Sequence, residues 1–420
     1  MKTNLSISRL LRLVLLLMFA FSDTWKISAA AGPDKLNLLV IFAHPDEGEI
    51  YAGGISAIYS KLGHRVKFLS LTNGDAGHWS MDPKALAQRR FKEAMEAKRI
   101  LGLTEYEILD YHDGKLKNSN DIQKIVANRI MEWKADIVIL FYPIITEEGG
   151  HNDNMQAGLI VRDAAALLNM EELPVFLYMR DYFTTGFSHI PDLAFNIDKV
   201  WERKLLAMKA HESQVVESNP HADGILDEVL KSDSKRQEYL FYNSYPYSRI
   251  TPDIKAAINK WYGSDSAGHI NWAEAFEFAE FGKQLRNKEI SRFFPMLPAT
   301  FILQGSTSWM DTGIDLLNGE VLAIRAEGEV VWKKDGYNWC DPTGNTPYTR
   351  WGKRPVLGSG VGALIGKIGS SSDYTFFIGT SLTMEACAEG RLYIGINDDN
   401  TSDNAGFFDV WIQSIKKQIP

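Results

Sequence analysis

The chain has 420 residues, of which 45% are hydrophobic, and 45 Lys and Arg against 53 Asp and Glu give it a net charge of −8. That length exceeds one ordinary domain, so two or three units are expected, each with enough apolar residues for a core. The negative balance argues against nucleic acid or an anionic membrane surface as the main partner. Residues 1–30 read as a signal peptide: Lys2, Arg9 and Arg12 form a positive start, 13–21 is an apolar run, and Ser28 to Ala31 supply small residues for cleavage. That run is too short to span a bilayer, so a secreted or periplasmic protein without a membrane span is expected.

From 35 to about 220, strand and helix alternate. The apolar run 36–43 reads as a buried strand and ends abruptly in His44, Pro45, Asp46 and Glu47. Gly53 and Gly54 open a helix over 55–62. A strand at 66–71 leads into a turn-rich loop through His78. Helix 84–101 is closed by Gly102. Strands at 106–109 and 137–141 flank a helix at 121–133. Helix 155–168, strand 175–178 and helix 199–216 follow. The alternation implies right-handed crossovers and an α/β, Rossmann-like, mainly parallel sheet with helices on both faces. Helical patterns continue from about 223 to 288, including 272–285, and read as a helical extension of a 35–290 domain. Pro295 and Pro298 mark a junction. Beyond it, frequent glycines and short strands predict an all-β sandwich over 300–420. Cys340 and Cys387 both fall there, and an oxidising compartment permits a bridge between them.

Ligands in an open α/β sheet bind outside the carboxyl ends of the strands. His44, Asp46 and Glu47 are therefore expected in one cleft. One imidazole and two carboxylates suit a divalent metal plus a general base. A second group, Gly149 through His151, Asp153 and Asn154, follows the strand ending at Phe141 and can face the same cleft.

These two groups resemble the PIG-L / LmbE-like deacetylase family, whose pattern is Ala-His-Pro-Asp-Asp early and His-x-Asp-His late. Here the strings are Ala43-His-Pro-Asp-Glu47 and His151-Asn-Asp-Asn154. Supporting matches are Leu71 to Asp75, Gln88-Arg-Arg90 leading into Gly102, and His211 with Gln214. The resemblance covers about 35–290 and implies a metal-dependent hydrolase of N-acetylglucosamine derivatives. It makes His44 and Glu47 metal ligands, Asp46 the general base, His151 the oxyanion stabiliser or acid to the leaving amine, and Arg90 a substrate-binding residue. Two positions depart from the pattern: Glu47 replaces Asp, and Asn154 replaces the final metal-binding His. Asn is a neutral oxygen donor and zinc prefers imidazole. Three outcomes follow: a metal harder than the zinc the pattern implies, a substitute histidine with His78 as candidate, or a non-catalytic glycan-binding protein on a degenerate scaffold.

The last third holds an Asp/Asn cluster, Asn397 to Asn404, after a strand at 391–396. Alone it reads equally as a calcium loop or an Asx-rich turn. Its flanks, Gly362 to Gly369, Gly390 to Asp398 and Asp403 to Phe407, resemble the PA-I-like galactophilic lectin family over about 303–415. That resemblance implies a calcium ion that meets sugar hydroxyls, with Asp398, Asp403 and Asn404 as side-chain ligands and Thr401 and Trp332 as carbonyl donors. The combined expectation is a carbohydrate or glycoconjugate partner, a divalent metal in the first domain and calcium in the second. Nothing in the sequence fixes an oligomeric state.

Overall fold

The computed structural model describes residues 35–144, 151–181, 190–263, 267–333, 338–345, 353–370 and 374–415. The expected signal peptide lies outside the described residues, as do Gly149 and Gly150. Residues from Leu36 onward form one compact unit. No helix among the described residues is long and apolar enough to cross a membrane.

In chain order the first part runs β1 (Asn37–Phe42), α1 (Glu47–Lys61), β2 (Arg65–Thr72), α2 (Pro83–Leu101), β3 (Glu105–Tyr111), α3 (Asn120–Trp133), β4 (Ile137–Phe141), α4 (Asn152–Ala165), β5 (Val175–Met179), β6 (Leu193–Asn196), α5 (Trp201–Ala210) and β7 (Ala273–Gly282). Short helices lie between α5 and β7. The strands form a seven-stranded sheet in the order β3-β2-β1-β4-β5-β7-β6. The pairs from β3 through β5 are parallel, and β7 is antiparallel to both β5 and β6. β1, β4 and β5 are almost wholly buried, as expected of a parallel sheet covered on both faces.

Three expectations need correction. Within 272–285, where a helix was expected, Ala273–Gly282 form a strand, β7. Glu274, Glu277 and Glu280 recur every third residue and imitate a helical face, but the aromatic residues between them pack on the sheet. α1 starts at Glu47, immediately after the Asp46 turn, and Gly53 and Gly54 lie inside it. They are small because a buried ion pair presses on the helix there. Gly54 N–H donates to Glu274 Oε1 at 2.7 Å and Ile55 N–H to Oε2 at 2.8 Å. A Cβ on Gly54 would lie 2.6 Å from Ile197 Cγ2. The helix expected over 199–216 breaks at His211 and resumes as a π-helical turn, Ser213–Ser218.

Gly48, in the first turn of α1, lets that helix settle onto β1 and β2. A Cβ there would meet Phe42 Cε1 and Phe68 Cδ2, both at 2.5 Å. These rings are buried and packed edge to face. Gly48→Ala should therefore destabilise the fold by about 1–3 kcal/mol through overpacking. The check is a lowered denaturant midpoint with an unchanged m-value.

The last third is β8 (Ala299–Gln304), β9 (Trp309–Leu316), β10 (Val321–Val331), β11 (Trp339–Cys340), β12 (Leu364–Ile368), β13 (Thr375–Phe377), β14 (Ser381–Glu385), β15 (Gly390–Ile396) and β16 (Ala405–Ile415). One sheet runs β11-β10-β16-β8 with β14 also on β10, and the other runs β13-β12-β15-β9. Pairing is antiparallel throughout. Leu303, Ile324 and Phe408 of the first sheet share a core with Leu316, Ile394 and Ile396 of the second. This is the expected all-β sandwich architecture. Cys340 is buried, Cys387 is exposed, and both are free thiols, so the bridge that the sequence permits is not formed. Trp411 Nε1 of β16 donates to Lys260 O at 3.1 Å, on the helix Pro252–Tyr262.

Candidate metal and active site

The parallel strand order reverses direction between β1 and β4, and the carboxyl ends of those strands splay apart at such a point. His44, Pro45 and Asp46 leave β1 there. His151 to Asn154 open α4 beside them. The rings of His44 and His151 meet edge to face with centroids 4.6 Å apart.

Glu47 sets the orientation of His44. Its Oε2 accepts the backbone N–H of Ala43 at 2.9 Å and of His44 at 2.8 Å, and its Oε1 lies 3.0 Å from His44 Nδ1. With the Nδ1 proton directed at Glu47, Nε2 is the nitrogen that can offer a lone pair to a metal. The expected ligand Glu47 is thus drawn onto the end of β1, where its extra methylene gives it reach, and it orients His44.

Nε2 points toward two other carboxylates, Asp113 Oδ1 at 3.0 Å and Asp153 Oδ2 at 3.5 Å. None of these contacts has hydrogen-bond alignment at Nε2. One ligand atom from each of His44, Asp113 and Asp153 lies within 4.8 Å of the others. Asp153 is pinned by the N–H groups of Gly114 at 2.7 Å and Leu116 at 3.3 Å. Burial opposes a charge on His44, yet Glu47, Asp113 and Asp153 together raise its pKa well above the ordinary value. Burial also pushes Asp113 up, but His44 and Arg90 outweigh it and hold that carboxyl at about 2. Burial opposes the Asp153 charge too, but His44 and the Gly114 N–H outweigh it and lower that pKa. Two carboxylates held ionised around a buried imidazole fit a divalent cation, which would take the place of the proton they draw onto Nε2.

Asp46 sits at a strained φ of 149°, a region a non-glycine residue rarely enters. Arg90 Nη2 donates to Asp46 Oδ1 at 3.1 Å and to Pro45 O at 2.8 Å, and its Nη1 lies 3.4 Å from Asp113 Oδ2. Burial raises the Asp46 pKa to about 6, against the charges of Arg90 and His211. Arg90 itself is 2% exposed, so its position fixes Asp46 and Asp113, whereas the sequence suggested a substrate contact. Gly74 makes room for it: a Cβ there would lie 2.7 Å from Arg90 Nε. Behind Asp46, His211 Nε2 lies 3.2 Å from Glu49 Oε1, both side chains wholly buried.

His78 stands apart. Its Nδ1 accepts the N–H groups of Ser80 and Met81, each at 3.2 Å, and its Nε2 is 3.3 Å from Glu217. Its ring stacks on Trp79 at 4.1 Å. Both nitrogens are engaged, so His78 does not replace the missing ligand. Asn154 is buried, with Nδ2 at 3.4 Å from Asp181 Oδ2.

In the sandwich, Asp398 follows β15, and Thr401 to Asp403 form a 3-10 turn before Asn404 and β16. Asn404 Nδ2 donates to Gly305 O at 3.1 Å. Asn404 Oδ1 and Asp398 Oδ2 are buried with no hydrogen-bond partner among the described residues. Thr401 is buried with its hydroxyl 2.8 Å from Ser308, and Asp403 is half-buried. Trp332, just past β10, donates its backbone N–H to Asn338 O at 2.9 Å. The Asn397 side-chain amide instead ties residues 356, 359 and 360 to the strand end.

Comparison with known proteins covers the part of the chain that carries His44, Asp113 and Asp153. The pattern of the PIG-L family, described as GlcNAc-PI de-N-acetylase, matches residues 39–165. The chain is 30% identical over 193 residues to a diacetylchitobiose deacetylase of Thermococcus kodakarensis, covering 44% of this chain and 72% of that protein. The chain belongs to the PIG-L family. It is a deacetylase, an amide hydrolase. A probable N-acetyl-alpha-D-glucosaminyl L-malate deacetylase 2 of Bacillus cereus is 31% identical over 191 residues, covering 42% of this chain and 83% of that protein. Among solved structures, an N,N'-diacetylchitobiose deacetylase of Pyrococcus horikoshii aligns with TM-score 0.43 and 19% identity, over 66% of this chain and 95% of that one. A PllA-like lectin, the EclA N-terminal domain, aligns with TM-score 0.23 and 24% identity, over 27% of this chain and 94% of that one.

Within the PIG-L site, sequence reasoning missed Asp113 and Asp181. Asp113 lies just past the carboxyl end of β3, and Asp181 just past that of β5. The rule that singled out His44 applies to both positions.

Proposed function

We propose that this PIG-L protein, secreted or periplasmic, removes the N-acetyl group from an N-acetylglucosamine-type glycan or glycoconjugate, with one divalent ion at His44, Asp113 and Asp153. The carrying observation is the convergence of those three side chains at the β1/β4 crevice, with Asp46 beside them. A divalent ion held there would polarise the acetyl carbonyl and make a water more acidic. Asp46, raised in pKa by burial and aimed by Arg90, takes the proton of the attacking water. His151 is exposed at the start of α4 and in contact with the His44 ring. It stabilises the oxyanion or protonates the departing amine. Glu47 keeps the His44 ring in one tautomer throughout. Elemental analysis tests this reading: besides any calcium in the sandwich, wild type should retain about one divalent ion resistant to dialysis, and His44→Ala should lose it. Equal metal content in the two proteins would contradict it.

For the sandwich, we propose a calcium-dependent sugar-binding role. The support is two orphaned, buried oxygens, Asp398 Oδ2 and Asn404 Oδ1, in one turn. An unsatisfied buried acceptor costs about 1–3 kcal/mol, and a bound cation offsets it. Asp403, Thr401 and the Trp332 carbonyl complete the proposed shell. Calcium should raise the melting temperature of the full chain, because an ion that binds only the folded state stabilises it. Asp398→Ala should abolish the shift. A wild-type chain that melts at the same temperature in calcium and in chelator would make this cluster an ordinary turn.

A further inference from the structure

Asn154 stands where the family resemblance places a metal-binding histidine, and the structure surrounds it in a way that defines what the substitution does. The side chain is 2% exposed. Asp181, also buried, holds it: Oδ2 of Asp181 is 3.4 Å from Asn154 Nδ2 and 3.2 Å from the backbone N–H of His151, while Oδ1 accepts the Tyr51 hydroxyl at 3.2 Å. Both Asp181 oxygens already act as acceptors, Oδ1 from the Tyr51 hydroxyl and Oδ2 from the His151 N–H. The nitrogen end of the Asn154 amide must therefore face Asp181, and a flipped amide would set oxygen against oxygen. That leaves Asn154 Oδ1 buried and without a hydrogen-bond partner among the described residues. His44 Nε2 is in the same condition. Asn154 directly follows Asp153, whose Oδ2 lies 3.5 Å from that Nε2. Asp181 also receives the N–H of His151, whose ring meets that of His44 with centroids 4.6 Å apart, so one carboxylate holds both the Asn154 amide and the residue packed on His44.

We propose that Asp181 is a positioning residue that turns the Asn154 amide so that Oδ1 becomes a donor to the divalent ion, giving this chain an oxygen-rich centre with a reduced preference for zinc over manganese. This rests on the metal-dependent reading of the site. It parallels the way a carboxylate orients a ligating histidine through its second nitrogen, here with an amide in place of the ring. The hydrogen bond to a carboxylate also polarises the amide and enriches electron density at Oδ1. Only one imidazole remains among the donors. Carboxylate and carbonyl oxygens suit manganese and magnesium, whereas imidazole suits zinc.

The test is a competition titration of manganese and zinc against the full-length protein, with the melting temperature of each metal-free variant measured alongside. Asp181→Ala should weaken manganese binding by about 10–100-fold. Asp181→Asn, which keeps a neutral acceptor, should lose less and serves if the alanine variant does not fold. In an Asn154→Ala background, Asp181→Ala should cause no further loss, because the two residues act as one unit. Asn154→His should raise the zinc-to-manganese affinity ratio by roughly tenfold or more. The inference is overturned if Asp181→Ala binds manganese as wild type does, if its loss is undiminished in the Asn154→Ala background, or if Asn154→His leaves the ratio unchanged. Those results require that wild type binds an ion. A wild type that binds neither metal overturns the metal-dependent reading itself, and the inference with it.

Discussion

Asp46→Asn is expected to lower acetate release from an N-acetylated chitooligosaccharide by roughly two to four orders of magnitude, with metal content unchanged. The substitution preserves shape. An Asn oxygen still accepts from Arg90, and Asn tolerates positive φ about as well as Asp. What it removes is the ability to take a proton. Asp46 suits that role because it sits at the mouth of α1 in a strained conformation that the surrounding contacts enforce, with Arg90 at 3.1 Å from its Oδ1. It is not among the three side chains that converge on the metal position, so loss of turnover without loss of metal is the specific signature. Unchanged turnover would show that another group is the base.

Lys204→Met is expected to destabilise the protein by about 3–5 kcal/mol, a large share of the roughly 5–15 kcal/mol that holds a domain folded. Lys204 Nζ lies 2.7 Å from Glu274 Oε1 and 3.0 Å from Ser248 Oγ, in a place where the lysine side chain has no exposure at all. Burial lowers the Lys204 pKa, and Glu274 opposes that shift. The same carboxylate receives the Gly54 and Ile55 N–H groups of α1. Methionine fills the space of the lysine stem but leaves a buried negative charge without its counter-ion. Lys204→Met combined with Glu274→Gln removes both charges and should be less damaging than the single change. Guanidinium unfolding followed by tryptophan fluorescence checks this. A single variant as stable as wild type would mean that the pair contributes nothing.

Much of the site was legible in the sequence because its signals are local. An apolar strand that stops at His44, Pro45 and Asp46 places these residues at a strand end with no tertiary information needed. The boundaries of β4 and the C-cap at Gly102, with φ 75°, follow from the same local patterns. The parts that were not legible are non-local. Asp113 sits in an Asp-Gly turn that reads as a loop tip, and only the fold brings it to His44. Asp181 meets Tyr51 across 130 positions. The role of Glu47 depends on how far a glutamate side chain reaches back, which a motif does not record. β7 was misread because every third residue is Glu, and its neighbours β5 and β6 could not be known from its own sequence. The Gly53-Gly54 pair was read as a helix start, yet the cause of both glycines is Glu274 and Lys204, far along the chain.

The most direct test of the central claim is acetate release by the full-length protein on an N-acetylated chitooligosaccharide, measured after the metal has been stripped and again after one equivalent of a divalent ion has been restored. The stripped protein should be inactive and the reconstituted protein active, and His44→Ala should stay inactive in both states. Equal acetate release from the stripped and reconstituted wild type would contradict a metal-dependent deacetylase centred on His44, Asp113 and Asp153.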